Sequence, residues 1–207
     1  MILQNSDLVQ GSQAWIDFRG GGIGGSEASA LLGIGNKSRD QLFLEKTGQA
    51  LPPDLSKAFP VIRGQALEPL ARNLINSLYV SEFEPVVFVS DELPFMIYSS
   101  DGFDKFLNEL IEIKCPMEKG FSEFKETKKI RPEYFCQCQW ALGISRCELL
   151  RFFCYSPEGP LEETQVFLNE RFFNKLKKEA KIFWSEVTQY RKDIYGKKEN
   201  NPTSIEI

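Results

Sequence analysis

The chain has 207 residues, 42% of them hydrophobic, with 29 acidic against 25 basic side chains, a net charge of −4 and no histidine. This length suits one domain with a proper core, and the missing imidazole excludes Ser-His-Asp and Cys-His nucleophile arrangements, histidine-rich zinc sites and a histidine general base. No apolar run is long enough to cross a bilayer, no basic-then-apolar leader opens the chain, and five scattered cysteines suit reduced thiols, so the expectation is a cytoplasmic protein without membrane contact.

Residues 12–19 (SQAWIDFR) read as a short amphipathic helix with Arg19 in its last turn. The run GGGIGGSEASALLGIG follows. Its Gly20, Gly22 and Gly25 satisfy G-x-G-x-x-G, but a dinucleotide fold needs a strand in front and here a helix precedes. The pattern instead predicts a turn leading into a helix N-terminus, with Ser26 at or near the N-cap and Glu27 in the first turn. Free N–H groups, the Ser26 hydroxyl and Arg19 would form an anion site, with a terminal phosphate as one candidate occupant.

A second helix is expected from Ser38 to Thr47, stopped by Gly48, and a loop covers 49–57. Residues 59–79 predict a long helix with Leu67, Leu70, Leu74, Ile75 and Leu78 as its buried stripe. Glu68, at the edge of that stripe, is either a surface acid or an acid looking inward toward a metal. Strands are expected at 84–89, 95–100 and 110–114, and 121–129 is either irregular or helical. Pro132 opens a helix ending near Gly143, an apolar strand covers 148–155, and an edge strand at 163–168 pairs beside it. An amphipathic helix from about Glu170 to Lys192 turns Phe172, Phe173, Leu176, Ile182, Phe183 and Val187 inward. The whole of 1–207 reads as one domain, with 1–10 and 196–207 as mobile termini. The order fits a central mixed sheet covered by helices on both sides.

The chemistry gathers in SSDGFDKFLNELIEIKCP, residues 99–116, where Asp101, Glu112 and Lys114 stand in the pattern D-x10-E-x-K. Alternation in a strand puts Glu112 and Lys114 on one face. If the strand at 95–100 pairs antiparallel with 110–114 across a turn near 105–108, Asp101 comes alongside, and two carboxylates and a lysine converge as a hard divalent cation and an activated water require. A surface hairpin with a solvated acid and base is the plainer reading of E-x-K alone. Lys119, Lys125, Lys128, Lys129 and Arg131 form a local basic run compatible with a polyanionic substrate or with an ordinary solvated face. Cys136-x-Cys138 does not have zinc-knuckle spacing, and the thiols read as mostly buried apolar groups.

Taken together, W-x3-R, G-I-G-G-S-E-A-S-A-L-L-G, L-x-L-E-K-T-G, R-G-x-x-x-E-P-x-A, S-x-D-G, E-I-K-C-P and Y-x-x-Q-x-Q, in that order from Trp15 to Trp140, resemble the phage lambda exonuclease and YqaJ-type viral recombinase nucleases of the PD-(D/E)xK superfamily. Ser100 stands where the superfamily name has proline, a position that supplies no ligand. The resemblance implies an α/β, restriction-endonuclease-like fold and a 5′→3′ exonuclease on double-stranded DNA ends that leaves 3′ single strands. It implies Mg2+, with Mn2+ as a substitute, held by Asp101, Glu112 and the carbonyl of Ile113, with Glu68 on a second ion or its water. Lys114 would orient and help deprotonate the attacking water, as base or as electrostatic anchor, and a neighbouring cation should ease the loss of its own proton. Gln137 would position the nucleophile or Lys114. Arg19, Ser26 and Ser99 would grip phosphate, and Tyr134 and Gln139 match in type with a structural role. Expected partners are a single-strand annealing recombinase and further copies of the chain in a trimeric ring, in the cytosol of a host cell. A superfamily endonuclease, a repair nuclease and a non-catalytic DNA-end binder are the alternatives.

Overall fold

In a computed structural model, the described residues are 2–3, 12–55 and 57–199. Strands β1 (Ile2–Leu3), β2 (Val87–Val89) and β3 (Ile97–Ser99) form an antiparallel sheet, and β4 (Gly102–Asp104), β5 (Glu109–Lys114), β6 (Leu149–Cys154) and β7 (Glu162–Phe167) form a mixed one in that order. Only β5 and β6 run parallel among the pairs of that second sheet, and the crossover between them carries α4 (Glu118–Thr127) and α5 (Pro132–Ser145). Helices α1 (Gln13–Gly20), α2 (Arg39–Lys46), α3 (Phe59–Tyr79) and α6 (Glu170–Glu199) and a 3-10 helix at Gly25–Leu32 complete the fold. Residues 121–129 thus fall largely within a helix.

The two sheets meet through a bulge at the site. Val87 faces Ser99 and the Ser100 amide donates to the Val86 carbonyl, yet Glu84 faces Phe103. The strand carrying Asp101 therefore holds one residue more than its partner opposes, which bends the chain there. Gly102 permits the bend, because a Cβ on it would meet the Ile111 side chain at 2.7 Å. The expected hairpin is corrected accordingly: β4, not the strand before Asp101, pairs with β5 across the turn at 105–108, and β3 pairs with β2.

Period-two alternation in β5 feeds two cores. Leu110 packs in the larger one with Phe152, Trp140, Leu176 and Phe183, while Ile111 and Ile113 pack in a smaller one with Phe153, Phe83 and the α3 residues Ala71 and Ile75. The expected α3 stripe is corrected, since Leu70, Leu74 and Leu78 are 54%, 37% and 61% exposed and the sheet is met by the smaller Ala71 face. Ile182 likewise faces solvent, and Ala180 takes its place in the buried stripe of α6. Ile2 and Leu3 pair with Phe88 and Val87, so the first residues are not wholly outside the fold, and α6 continues through residue 199. Residues 1, 4–10 and 200–207 of the expected mobile termini lie outside the described residues. Cys136, Cys138, Cys147 and Cys154 are buried, and all five cysteines are free thiols.

Candidate active site

The bulge delivers Asp101 to the end of β5, where Glu112 and Lys114 share a face. Helix α5 supplies Tyr134 and Gln137 one turn apart, β3 supplies Tyr98 and Ser99, and α3 lays Glu68 along the rim. The same cleft takes in Arg19, in the last turn of α1, and Ser26. All nine residues expected from sequence (Arg19, Ser26, Glu68, Ser99, Asp101, Glu112, Ile113, Lys114 and Gln137) line one cleft of about 370 Å³.

Glu112 is the floor of that cleft, with no solvent exposure. Its Oε2 accepts from the Tyr98 hydroxyl at 2.8 Å, and its Oε1 from the Lys114 ammonium at 2.5 Å and the Gln137 amide at 2.7 Å. A buried carboxylate is tolerable when its oxygens are met in this way. Asp101 Oδ2 accepts from the Ile113 amide at 2.7 Å, tying the bulge to the strand segment between Glu112 and Lys114. Burial, and then the charge of Glu112, push the Asp101 carboxyl well above the ordinary range. Burial alone would lower Lys114, but Glu112 and Asp101 outweigh it and the ammonium is held above its usual value. This holds without a cation in the cleft; the eased proton loss expected of a lysine beside one belongs to the loaded site. Its Nζ also lies 4.9 Å from the centre of the Tyr134 ring.

Two carboxylates side by side, Asp101 with its charge disfavoured by burial and then by Glu112, are by the chemistry of the donor set suited to a hard divalent cation, and Ile113 lines the cleft beside them. Glu68 is the exception to close gathering. It lines the cleft, but Arg72 holds its carboxylate at 3.1 Å, and among the described residues no three Asp, Glu, Cys or His side chains cluster within reach of one metal.

The 3-10 helix that carries Ser26 is capped by Gly24. Glu27 accepts from the Gly24 amide at 2.8 Å, and Ser26, near the cap, sits two residues further in. The Ser26 hydroxyl accepts from the Arg19 guanidinium at 3.1 Å, and that guanidinium lies 4.8 Å from the centre of the Trp15 ring. Gly25 lets the helix approach the floor, for a Cβ there would meet the Tyr98 ring at 2.9 Å. Within the basic run, Lys129 and Arg131 line a smaller hollow on the far side of Tyr134, and Lys128 pairs with Glu162.

Sequence reasoning missed Tyr98 and Arg72. Arg72 donates both to Glu68 and to the Asp101 carbonyl, and its place four residues after Glu68 on a helix was a readable signal. Tyr98 gave none, because a strand tyrosine does not announce the carboxylate it will meet across a sheet. Gln139, expected to be structural, donates to the Phe167 carbonyl and accepts from the Asn169 amide, joining α5 to the end of β7.

The fold is similar to that of an alkaline exonuclease, LHK-Exo, from Laribacter hongkongensis, with a TM-score of 0.80 and 22% identity over 91% of this chain and 99% of that one. A structure of LHK-Exo in complex with dAMP matches at 0.79 and 21%, again over 91% and 99%. A phage-related exonuclease from Haemophilus somnus 129PT matches more distantly, at 0.53 and 11% over 85% of this chain and 96% of that one. These likenesses place the mixed sheet and its helices in the restriction-endonuclease-like fold. In sequence, the uncharacterized protein YqaJ of Bacillus subtilis (strain 168) is 26% identical over 155 residues, 70% of this chain and 45% of that protein, so the chain spans less than half the length of this relative. The model of the YqaJ-like viral recombinase domain matches residues 14–148, which include every residue of the cleft named above, and the chain belongs to that family.

Proposed function

We propose that this protein is a Mg2+-dependent deoxyribonuclease, acting as a 5′→3′ exonuclease on double-stranded DNA ends and leaving 3′ single strands. The observation that carries the reading is that Asp101, Glu112 and Lys114 line one cleft together with Arg19 and Ser26. The two sets divide the work that hydrolysis from a phosphorylated end demands. Membership of a viral recombinase family supports it, as does the likeness in fold to exonuclease structures, one of them holding a nucleoside monophosphate.

Asp101, Glu112 and the Ile113 carbonyl would hold the magnesium ion, and Glu68 would reach its water shell. Once bound, that ion would lower the pKa of a water and offset charge on the phosphate oxygens. Gln137 bridges Glu112 and Lys114, with its amide oxygen 3.4 Å from the ammonium, so it fixes where the lysine points. Lys114 would orient the attacking water and help deprotonate it, as base or as electrostatic anchor. Arg19 and Ser26 present charge-assisted and neutral donors to a terminal phosphate, assisted by Ser99 on the cleft wall. Self-association, a trimeric ring by family resemblance, is supported by the exposed α3 stripe Leu70, Leu74 and Leu78, and a ring would hold a chain of net negative charge on DNA. A single-strand annealing recombinase is the proposed partner.

The test is incubation of the purified protein and magnesium with linear duplexes bearing a 5′-phosphate or a 5′-hydroxyl, and with a closed circle. Loss of linear DNA alone, faster with phosphate, is expected. Cutting of the circle would point to an endonuclease, and no cleavage with magnesium or manganese would leave a DNA-end binder.

A further inference from the structure

Behind the phosphate grip lies a charge network that the cleavage chemistry does not use. Lys46, at the end of α2, is 7% exposed, and its ammonium donates to the Arg19 carbonyl at 3.1 Å and meets the Glu27 carboxylate at 2.9 Å. The same Glu27 oxygen accepts from the Gly24 amide at 2.8 Å and stands 3.9 Å from the Arg19 guanidinium. From α6, Arg191 donates to the Lys46 carbonyl at 3.0 Å and to the Gly20 carbonyl at 3.2 Å. These groups line a second hollow that shares Trp15, Arg19 and Ser26 with the cleft.

A buried ammonium carries a desolvation cost, and burial does push Lys46 below its ordinary pKa even against the pull of Glu27. An arginine beside a carboxylate ordinarily closes on it, often through two parallel hydrogen bonds. Arg19 does not. Its approach to Glu27 stops at 3.9 Å while Lys46 and the Gly24 amide occupy the same oxygen, and the guanidinium instead reaches Ser26. We propose that Lys46 is a positioning residue for recognition of the 5′-phosphate: by engaging Glu27 it stops that carboxylate from capturing Arg19, and so keeps the guanidinium turned to the cleft. This rests on the reading of Arg19 and Ser26 as the end-phosphate grip.

The experiment measures binding of the full chain, by fluorescence anisotropy with calcium replacing magnesium, to duplexes that differ only in a 5′-phosphate or 5′-hydroxyl. The readout is the ratio of the two Kd values, with melting temperature recorded beside it. A wild-type preference of roughly tenfold is expected from a charge-assisted contact. Lys46→Met should bring the ratio to near one, Lys46→Arg should retain most of it, and Lys46→Met combined with Glu27→Gln should restore it to within about threefold of wild type, because the competing carboxylate is gone. A purely structural lysine would shift the melting temperature without this rescue. If Lys46→Met does not fold, Lys46→Gln carries the same comparison. A Lys46→Met protein that keeps the preference, or a double variant no better than the single one, overturns the proposal alone. A wild-type ratio of one overturns the phosphate-grip reading, and the role of Lys46 with it.

Discussion

Glu112 and Asp101 illustrate how a site can be built against its own stability. Glu112 is fully buried with three donors around it, and Asp101 is placed where burial and its neighbour both disfavour its charge. Asp101→Asn keeps an acceptor for the Ile113 amide and removes the repulsion. It should therefore raise the metal-free melting temperature by about 2–4 °C, equivalent to ~1 kcal/mol in a chain of this size, while abolishing cleavage and magnesium-induced stabilisation. Differential scanning fluorimetry with and without magnesium checks this, and a variant that melts lower than wild type without metal would contradict it. Lys114→Ala should cut turnover by about 10²–10⁴-fold with DNA binding retained, measured by single-turnover cleavage beside anisotropy. Strand alternation made the shared face of Glu112 and Lys114 legible, whereas Asp101 was picked out by the motif series, since the hairpin expected to bring it alongside pairs differently. Tyr98 and Lys46 were not legible, since their partners lie 14 and 19 residues away across folded elements.

At the scale of elements, helix spans could be read because their apolar periodicity, caps and glycine stops are local; Ser38 caps α2 as expected. Which face an element buries depends on what lies opposite. In α3 the larger leucines look outward while Ala71 and Ile75 permit close approach to Ile111 and Phe153. The bulge at Asp101 was equally hidden, since an extra residue exists only relative to the register of β2 and the segment before it. Its tolerance should be narrow. Gly102→Ala, whose Cβ would crowd Ile111 and Phe83, should cost about 1–3 kcal/mol and lower activity by displacing Asp101. Chemical denaturation and cleavage rates check it, and an unchanged midpoint would mean the strands can spread without loss.

Over the whole molecule, burial raises the Cys136 thiol to about 11 and the Cys154 thiol to about 12. Between about pH 9 and 11 the unfolded chain releases thiol protons that the folded chain keeps, so stability should fall as pH rises, by up to about 1.4 kcal/mol per pH unit for each group. Urea midpoints under reducing conditions should show that fall, and Cys154→Val should flatten it. Self-association makes a separate demand on the surface: Leu74→Glu with Leu78→Glu should reduce the sedimenting mass if the α3 stripe is the contact, whereas an unchanged mass would move the contact elsewhere.

Arg191 gives the chain an order in time. The carbonyls it fastens belong to residues 20 and 46, laid down long before it during synthesis. A fragment ending ahead of α6 would keep the Lys46 contact to the Arg19 carbonyl but lose the clasp that ties Gly20 to the end of α2. The end of α1 is therefore clasped from both sides only after α6 docks, so order in the turn bearing Arg19 should arrive late in folding.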